Sequence, residues 1–275
     1  MINLKKCYLQ NLGIIVTEKC NINCSHCLRG NKTNKNITDS VIDKTFDNIE
    51  GIGCLNICGG EPTLALKEIE KIIDYIIIKK IKINNFALTI NGTIYSKELL
   101  KLLDEIYNYL GKEKFSTLLA ISIDKYHLDE VKRLKIEKEF LENIKRYKES
   151  KYFYCYRELT KRRKLIREGN AINLDNNLTV PLRKMDTYMT YSYKKKLDKE
   201  NGLLNIGPIV TINVDGIVTE CDASNENQRT IYNYGNIFNN SIEEIFINNN
   251  IPILEPKKFE KACQKSIKKY NTYNK

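Results

Sequence analysis

From about residue 12 to residue 168, short apolar runs rich in β-branched residues alternate with segments of helical period, and this alternation restricts the fold more than any other feature. The strand candidates are Leu12–Thr17, Cys54–Cys58, Phe86–Asn91, Leu118–Asp124 and Tyr152–Arg157. Helix candidates between and after them are Asp39–Glu50, Leu66–Lys80, Ser96–Leu110, Leu128–Glu149 and Leu159–Arg167. Ser96 followed by Leu99, Leu100, Leu103 and Ile106 reads as a capped amphipathic helix. Repeated strand-then-helix order predicts an α/β fold, with a parallel sheet and helices packed outside it.

Every notable polar cluster then falls at one end of that sheet. Cys20, Cys24 and Cys27 follow the first strand, Gly59, Gly60, Glu61 and Pro62 the second, Asn91-Gly-Thr93 the third, and Asp124-Lys-Tyr-His127 the fourth. Parallel α/β folds place ligand sites at the carboxyl ends of their strands. Three cysteines spaced by three and then two residues can converge on one small inorganic body from a single loop. Electron-carrying clusters use four thiolates and close every iron, whereas three leave one iron open to another molecule. An open coordination position separates catalytic from structural metal sites. Zinc held by these cysteines and His26 is an alternative; adjacent His26 and Cys27 are awkward ligands for one tetrahedral ion, and zinc leaves Gly59–Pro62 unexplained.

The rest of the composition sets the surroundings. Nine cysteines without a secretory signal argue for reduced thiols, and the clustered three for metal rather than disulfide. Cys54, Cys58 and Cys155 lie in strand-like runs, as small buried hydrophobes do. No transmembrane run or signal peptide is evident, so a cytoplasmic protein with no membrane partner is expected. The formal net charge of +11 points weakly to nucleic acid, because the lysines are dispersed. The local runs Lys161–Lys164 and Lys194–Lys196 read as solvated surface.

After residue 170 the periodicity fades, and residues 173–202 read as an irregular, substrate-facing segment. Ile209–Val214 and Ile217–Thr219 then form a predicted β-hairpin, with Asp215-Gly216 supplying the positive φ angles of its turn. Cys221 follows directly, and Ser241–Asn248 and Lys257–Tyr270 read as closing helices. The expected organisation is a core over residues 1–202 and an extension over residues 203–275.

On the cysteine run and Gly59-Gly-Glu-Pro62, the chain resembles the radical S-adenosylmethionine (SAM) superfamily. The resemblance implies a partial (β/α)6 TIM-like barrel with a small α+β C-terminal extension. It implies that Cys20, Cys24 and Cys27 hold one 4Fe-4S cluster, whose fourth iron is chelated by the amino and carboxylate groups of SAM. Gly59 and Gly60 would let backbone approach the cofactor, Glu61 and the strand end would accept from the SAM amino group, and Pro62 would fix the exit. Ser122 and Asp124, on one strand face, would contact the SAM carboxylate or ribose, with Asn91 as a further candidate. Arg167, in a segment similar to an Arg-Gly-Arg-Ala motif, would pair with the SAM carboxylate. His26 stands where an aromatic residue often packs on the adenine. His127 is expected either to exchange a proton with substrate or to be a hydrogen-bonded helix-entry residue.

Ile212–Cys221, Tyr234–Ile237 and Ser241–Ile245 resemble the start of a SPASM or twitch extension, whose members carry auxiliary clusters and often modify peptides. Only Cys221 and Cys263 remain here, too few for a second cluster, and Cys221 is instead a candidate catalytic or substrate-linking thiol. The activity implied is one-electron reduction by a donor such as flavodoxin or ferredoxin, cleavage of SAM to a 5′-deoxyadenosyl radical, and hydrogen abstraction from substrate. A peptide or protein residue is the leading substrate. A nucleotide or RNA substrate, and a non-catalytic iron-sulfur protein on the same scaffold, are the alternatives.

Overall fold

The computed structural model describes residues 6–157, 164–180, 194–198, 203–207, 209–219, 223–230 and 233–248. Five strands, β1 (Lys6–Thr17), β2 (Ile49–Gly59), β3 (Lys82–Ile90), β4 (Thr117–Ser122) and β5 (Phe153–Arg157), lie side by side in chain order and all pair in parallel. β1 is the central strand of the sheet. Its continuous run Leu12, Ile14, Ile15 and Val16 is buried, as expected of a parallel strand covered on both faces.

The crossovers are carried by helices packed against the sheet. These are α1 (Asp39–Phe46), α2 (Leu66–Lys79), α3 (Lys97–Tyr109), α4 (Lys125–Arg133) and α5 (Glu137–Lys148). α2 buries Ile69, Ile72, Ile73 and Ile76, and α3 buries Leu99, Leu102, Leu103 and Ile106. Ser96 caps α3 as the sequence predicts, its hydroxyl accepting from Leu99 N.

Three helix expectations are corrected. α1 stops at Phe46 rather than Glu50, because Asn48 adopts φ 62° and Ile49 already pairs in β2. The single helix expected over Leu128–Glu149 is two, α4 and α5. Lys135 sits at φ 58°, and Ile136 N donates to Val131 O (3.2 Å), a Schellman-type stop made without glycine. Residues 158–163 lie outside the described residues, and Leu165–Ile166, expected in a helix, is a strand (β6) paired with Thr179–Val180 (β7) in a separate ribbon.

Beyond β1 the sheet continues with tail strands. β9 (Leu203–Gly207) and β10 (Val210–Ile212) run successively along the free edge of β1, both parallel to it. β8 (Lys194–Asp198), in the stretch expected to be irregular, pairs antiparallel with β9. β11 (Ile217–Thr219) closes the predicted hairpin with β10, and β12 (Asn233–Asn236) pairs with β11. Only Gly216 of the Asp-Gly pair takes a positive φ, 77°. The turn is built instead on Asn213, whose side-chain oxygen accepts from Asp215 N and Ile217 N. Two short helices complete the described tail, α6 (Asn225–Arg229) and α7 (Ile242–Asn248); the helix expected over Lys257–Tyr270 lies outside the described residues. Among the described residues no helix is long and apolar enough to cross a membrane.

Candidate functional site

The end of β2 is fastened to the backbone just ahead of Cys20. Gly60 N donates to Thr17 O and Glu61 N to Lys19 O, each at 2.7 Å. A Cβ on Gly59 would lie 2.5 Å from Thr17 O, and one on Gly60 would lie 2.6 Å from Lys19 C. These glycines are therefore required by one strand end crossing another. The crossing brings residues 59–62 against the start of the cysteine loop.

Glu61 is 1% exposed and its carboxylate is taken by protein donors. Oε1 accepts from the amide and hydroxyl of Thr63 (3.1 and 2.7 Å), and Oε2 accepts from Asn91 N (2.7 Å). Burial pushes its pKa up to about 7, against the lowering effect of those donors. Pro62, just after it, opens a short 3₁₀ helix whose missing N–H costs nothing there. Asn91 extends the tie from β3 to the loop. Its Nδ2 donates to Asn21 Oδ1 (2.9 Å) and lies 3.9 Å from Cys20 Sγ, while its Oδ1 accepts from Thr93 N (2.9 Å).

The three thiols share one electrostatic environment. Cys24 is pushed up to about 12 by burial and then by Cys27, Cys20, Asp124 and Glu130. Cys20 is raised by burial, an effect opposed by the Ile22 backbone and Lys32 and reinforced by Glu61 and Cys27. Cys20 and Cys24, held protonated chiefly by burial and then by neighbouring thiols and carboxylates, fit a multi-iron cationic body, whose binding would release their protons. Among the described residues no three His, Cys, Asp or Glu side chains converge on a single-ion site. His26 is engaged elsewhere: its Nε2 lies 3.2 Å from Asp124 Oδ2, and its ring stacks on Tyr126 with centroids 5.1 Å apart.

The fourth strand end is partly spoken for. Asp124 caps α4 through His127 N (3.1 Å) and pairs with His26. Burial alone would raise its pKa, but His26 and the capping amide outweigh that and hold it below the ordinary carboxylate range. His127 is 1% exposed and packs against Phe140 with centroids 5.3 Å apart. Burial lowers its pKa, opposed by Asp124. It is a buried residue in the first turn of α4. Ser122, at the end of β4, is half-buried, as are Gly59 and Gly60 at the end of β2. Arg167 is half-buried and donates from Nε to Thr179 Oγ1 (2.9 Å). Cys221 lies outside the described residues.

Comparison with known proteins bears on this loop and the strands around it. The sequence matches the radical SAM superfamily over residues 14–160, more than half of the chain. The chain belongs to the radical SAM superfamily of enzymes. Membership implies a 4Fe-4S cluster and SAM, and the mixed α/β fold with its parallel sheet is consistent with the superfamily's partial barrel. An uncharacterized protein of Methanocaldococcus jannaschii is 28% identical over 129 residues, which span 46% of this chain and 42% of that protein. Among solved structures, anSMEcpe with bound AdoMet and Cp18Cys peptide aligns at a TM-score of 0.45 and 18% identity, over 89% of this chain and 81% of that one. Streptococcus suis SuiB bound to its precursor peptide SuiA aligns at 0.44 and 11%, over 89% and 66%.

A second layer around the radical SAM loop was not singled out from the sequence. Gly30, at φ 69°, and Gly169, at φ 58°, pass so closely that a Cβ on Gly30 would lie 2.8 Å from Gly169 Cα. Asn170 N donates to Cys27 O and Asn170 Nδ2 to Cys24 O, each at 2.9 Å. The segment Arg167–Ala171 was noticed for Arg167, yet Gly169 and Asn170 are the residues that reach the loop. Glu130 receives Asn23 N (2.8 Å) from the same loop, and Arg133 holds that carboxylate. On the loop's other flank Lys19, Cys20, Lys32, Thr33, Asn34 and Leu64 line a cavity of about 340 Å³.

Proposed function

We propose that the chain is a radical SAM enzyme in which Cys20, Cys24 and Cys27 hold a single 4Fe-4S cluster beside bound SAM. The observation that carries this reading is the joining of the cysteine loop to the Gly59–Glu61 strand end, through Gly60 N to Thr17 O and Glu61 N to Lys19 O. Held by these cysteines, a cluster would supply one-electron reduction of SAM, with the electron coming from an external donor such as flavodoxin or ferredoxin, and so the 5′-deoxyadenosyl chemistry of hydrogen abstraction. The chain's own residues orient and shield. Asn91 directs an amide N–H toward Cys20 Sγ. Gly59, Gly60 and Ser122 remain half-exposed for SAM at the rim. Glu61, Pro62 and Asp124 act on the cofactor indirectly, by fixing strand ends and the His26–Tyr126 stack. Arg167 is the remaining candidate for the SAM carboxylate.

The same reading takes residues 1–202 as a partial (β/α)6 barrel core, supported by five consecutive parallel strands. Residues 203–275 are a degenerate SPASM- or twitch-like extension. The substrate class we propose is a peptide or protein residue, supported by the resemblance of the tail hairpin to peptide-modifying members; Cys221 is then a substrate-side thiol.

Protein purified without oxygen should show 4Fe-4S absorption and form 5′-deoxyadenosine from SAM with dithionite. Replacing Cys20, Cys24 and Cys27 together by alanine should abolish both, and a triple variant that keeps its cluster refutes the ligand assignment. A short precursor peptide encoded beside the gene supports the peptide substrate, whereas neighbouring nucleotide-modification genes support RNA. Deuterium passing from a labelled substrate into 5′-deoxyadenosine identifies the hydrogen abstracted.

A further inference from the structure

We infer that Arg229, on the tail helix α6, is a positioning residue for the cysteine loop. The inference rests on the cluster reading above and adds a residue that no cysteine, glycine or strand-end motif contains. Its guanidinium meets Glu18, two residues ahead of Cys20, through Nη2, and meets Asp215 through Nε at 2.7 Å. Glu18 is 2% exposed, so its carboxylate depends on partners inside the protein. Those partners are Arg229 and the Thr33 hydroxyl, at 2.6 Å from Oε2. Asp215 in turn receives Lys35 Nζ at 2.9 Å. Glu18 precedes the cysteines, and Thr33 and Lys35 follow them. One arginine thereby joins both limbs of the loop to the tail hairpin.

Further contacts run the same way. Arg29 Nη1 donates to Ala223 O (3.2 Å), Asn225 N to Arg29 O (3.0 Å) and Asn225 Nδ2 to Asn31 O (3.1 Å). Glu168, 8% exposed, accepts from Ser224 N (3.1 Å) and Asn227 Nδ2 (2.7 Å), and the next two residues are those packed on Cys24 and Cys27. Residues 223–229 therefore reach the loop before and after the three cysteines, and reach Cys24 and Cys27 through the segment that follows Glu168. Without Arg229 the Glu18 carboxylate keeps only the Thr33 hydroxyl, and Oε1 must find water, drawing on the backbone that leads into Cys20. Lysine keeps the charge but not the planar fork that bridges two carboxylates.

The test compares wild-type full chain with Arg229→Ala and Arg229→Lys by amide hydrogen exchange on metal-free protein. It adds iron content, electron paramagnetic resonance and midpoint potential after anaerobic reconstitution. In Arg229→Ala, exchange over residues 18–30 should rise by about tenfold or more, with β2–β4 unchanged. Iron should fall, and the residual cluster should show an altered resonance and potential; Arg229→Lys should restore part of each. Unchanged exchange over residues 18–30 in either folded variant overturns the inference. If Arg229→Ala does not fold, the lysine variant decides by the same segment. If wild type binds no iron, the cluster reading fails while the exchange data still decide the role of Arg229.

Discussion

Replacing Gly169 by alanine measures how tightly the cysteine loop is seated against the segment that follows β6. Gly169 has φ 58°, a left-handed conformation that costs an alanine about 1–2 kcal/mol wherever it occurs. The added Cβ would also lie 2.6 Å from Gly30 N and closer still to the carbonyl oxygens of Leu28 and Cys27. All three are backbone atoms, which cannot rotate aside, and overpacking of this kind costs about 1–3 kcal/mol more. Gly111 is the matched control. It has φ 73° with nothing within 4 Å of an added Cβ, so Gly111→Ala carries the conformational cost alone. Denaturant unfolding of the metal-free variants should place Gly169→Ala below Gly111→Ala by about 1–3 kcal/mol. Relief of the overlap moves the Cys27 carbonyl, so Gly169→Ala should also load less iron, whereas Gly111→Ala should load like wild type. Equal stability loss and equal iron in the two variants would refute the close crossing.

Two further outcomes follow from the rim. Because folding raises the Glu61 pKa from 4.5 to about 7, the folded chain keeps a proton that the unfolded chain releases. The contribution of Glu61 to stability therefore falls as pH rises from roughly 4.5 to 7, by about 3 kcal/mol. Unfolding measured across that window should slope more steeply in wild type than in Glu61→Gln, and parallel profiles count against it. Asn91→Leu leaves Thr93 N, 2.9 Å from Asn91 Oδ1, without its buried acceptor, and should cost about 1–3 kcal/mol. It also removes an N–H directed at Cys20 Sγ, so a redox titration should find a lower cluster potential; an unchanged potential separates Asn91 from the cluster.

The strands of the parallel sheet were legible because each is a compact β-branched run between helical periods. Strand and helix candidates at Phe86–Asn91, Leu66–Lys80 and Ser96–Leu110 coincide with β3, α2 and α3 to within a few residues. The break between α4 and α5 left no such mark, since Lys135 rather than glycine takes the left-handed stop. Pairing at long range was equally silent. The hairpin at Asp215-Gly216 was readable from local chemistry, but nothing in residues 203–212 announced that they run parallel along β1. At the site, the spacing of the cysteines and the Gly59–Pro62 strand end marked the residues that the fold brings together. The supporting carboxylates Glu18, Glu130 and Glu168 were indistinguishable from surface charge, because burial is a property of the assembled fold.

The glycines show that one residue type can answer a need of the chain's own backbone. Gly59 and Gly60 stand out in the sequence as places where a ligand could come close, yet the atoms nearest an added side chain there belong to Thr17, Glu18 and Lys19. The same holds for Gly30 against Gly169. A loop that must hold three thiols in a fixed arrangement needs rigid support on both flanks, and side chains would keep its neighbours too far away to give backbone hydrogen bonds. At the first flank, glycine lets β2 bond to the residues before Cys20; at the second, it lets Asn170 bond to Cys24 and Cys27. Arg229 and Glu168 then connect both flanks to the tail. The tail strands that complete the edge of β1 thus belong to the same structural unit as the cysteine loop, and perturbing either should be felt at the thiols.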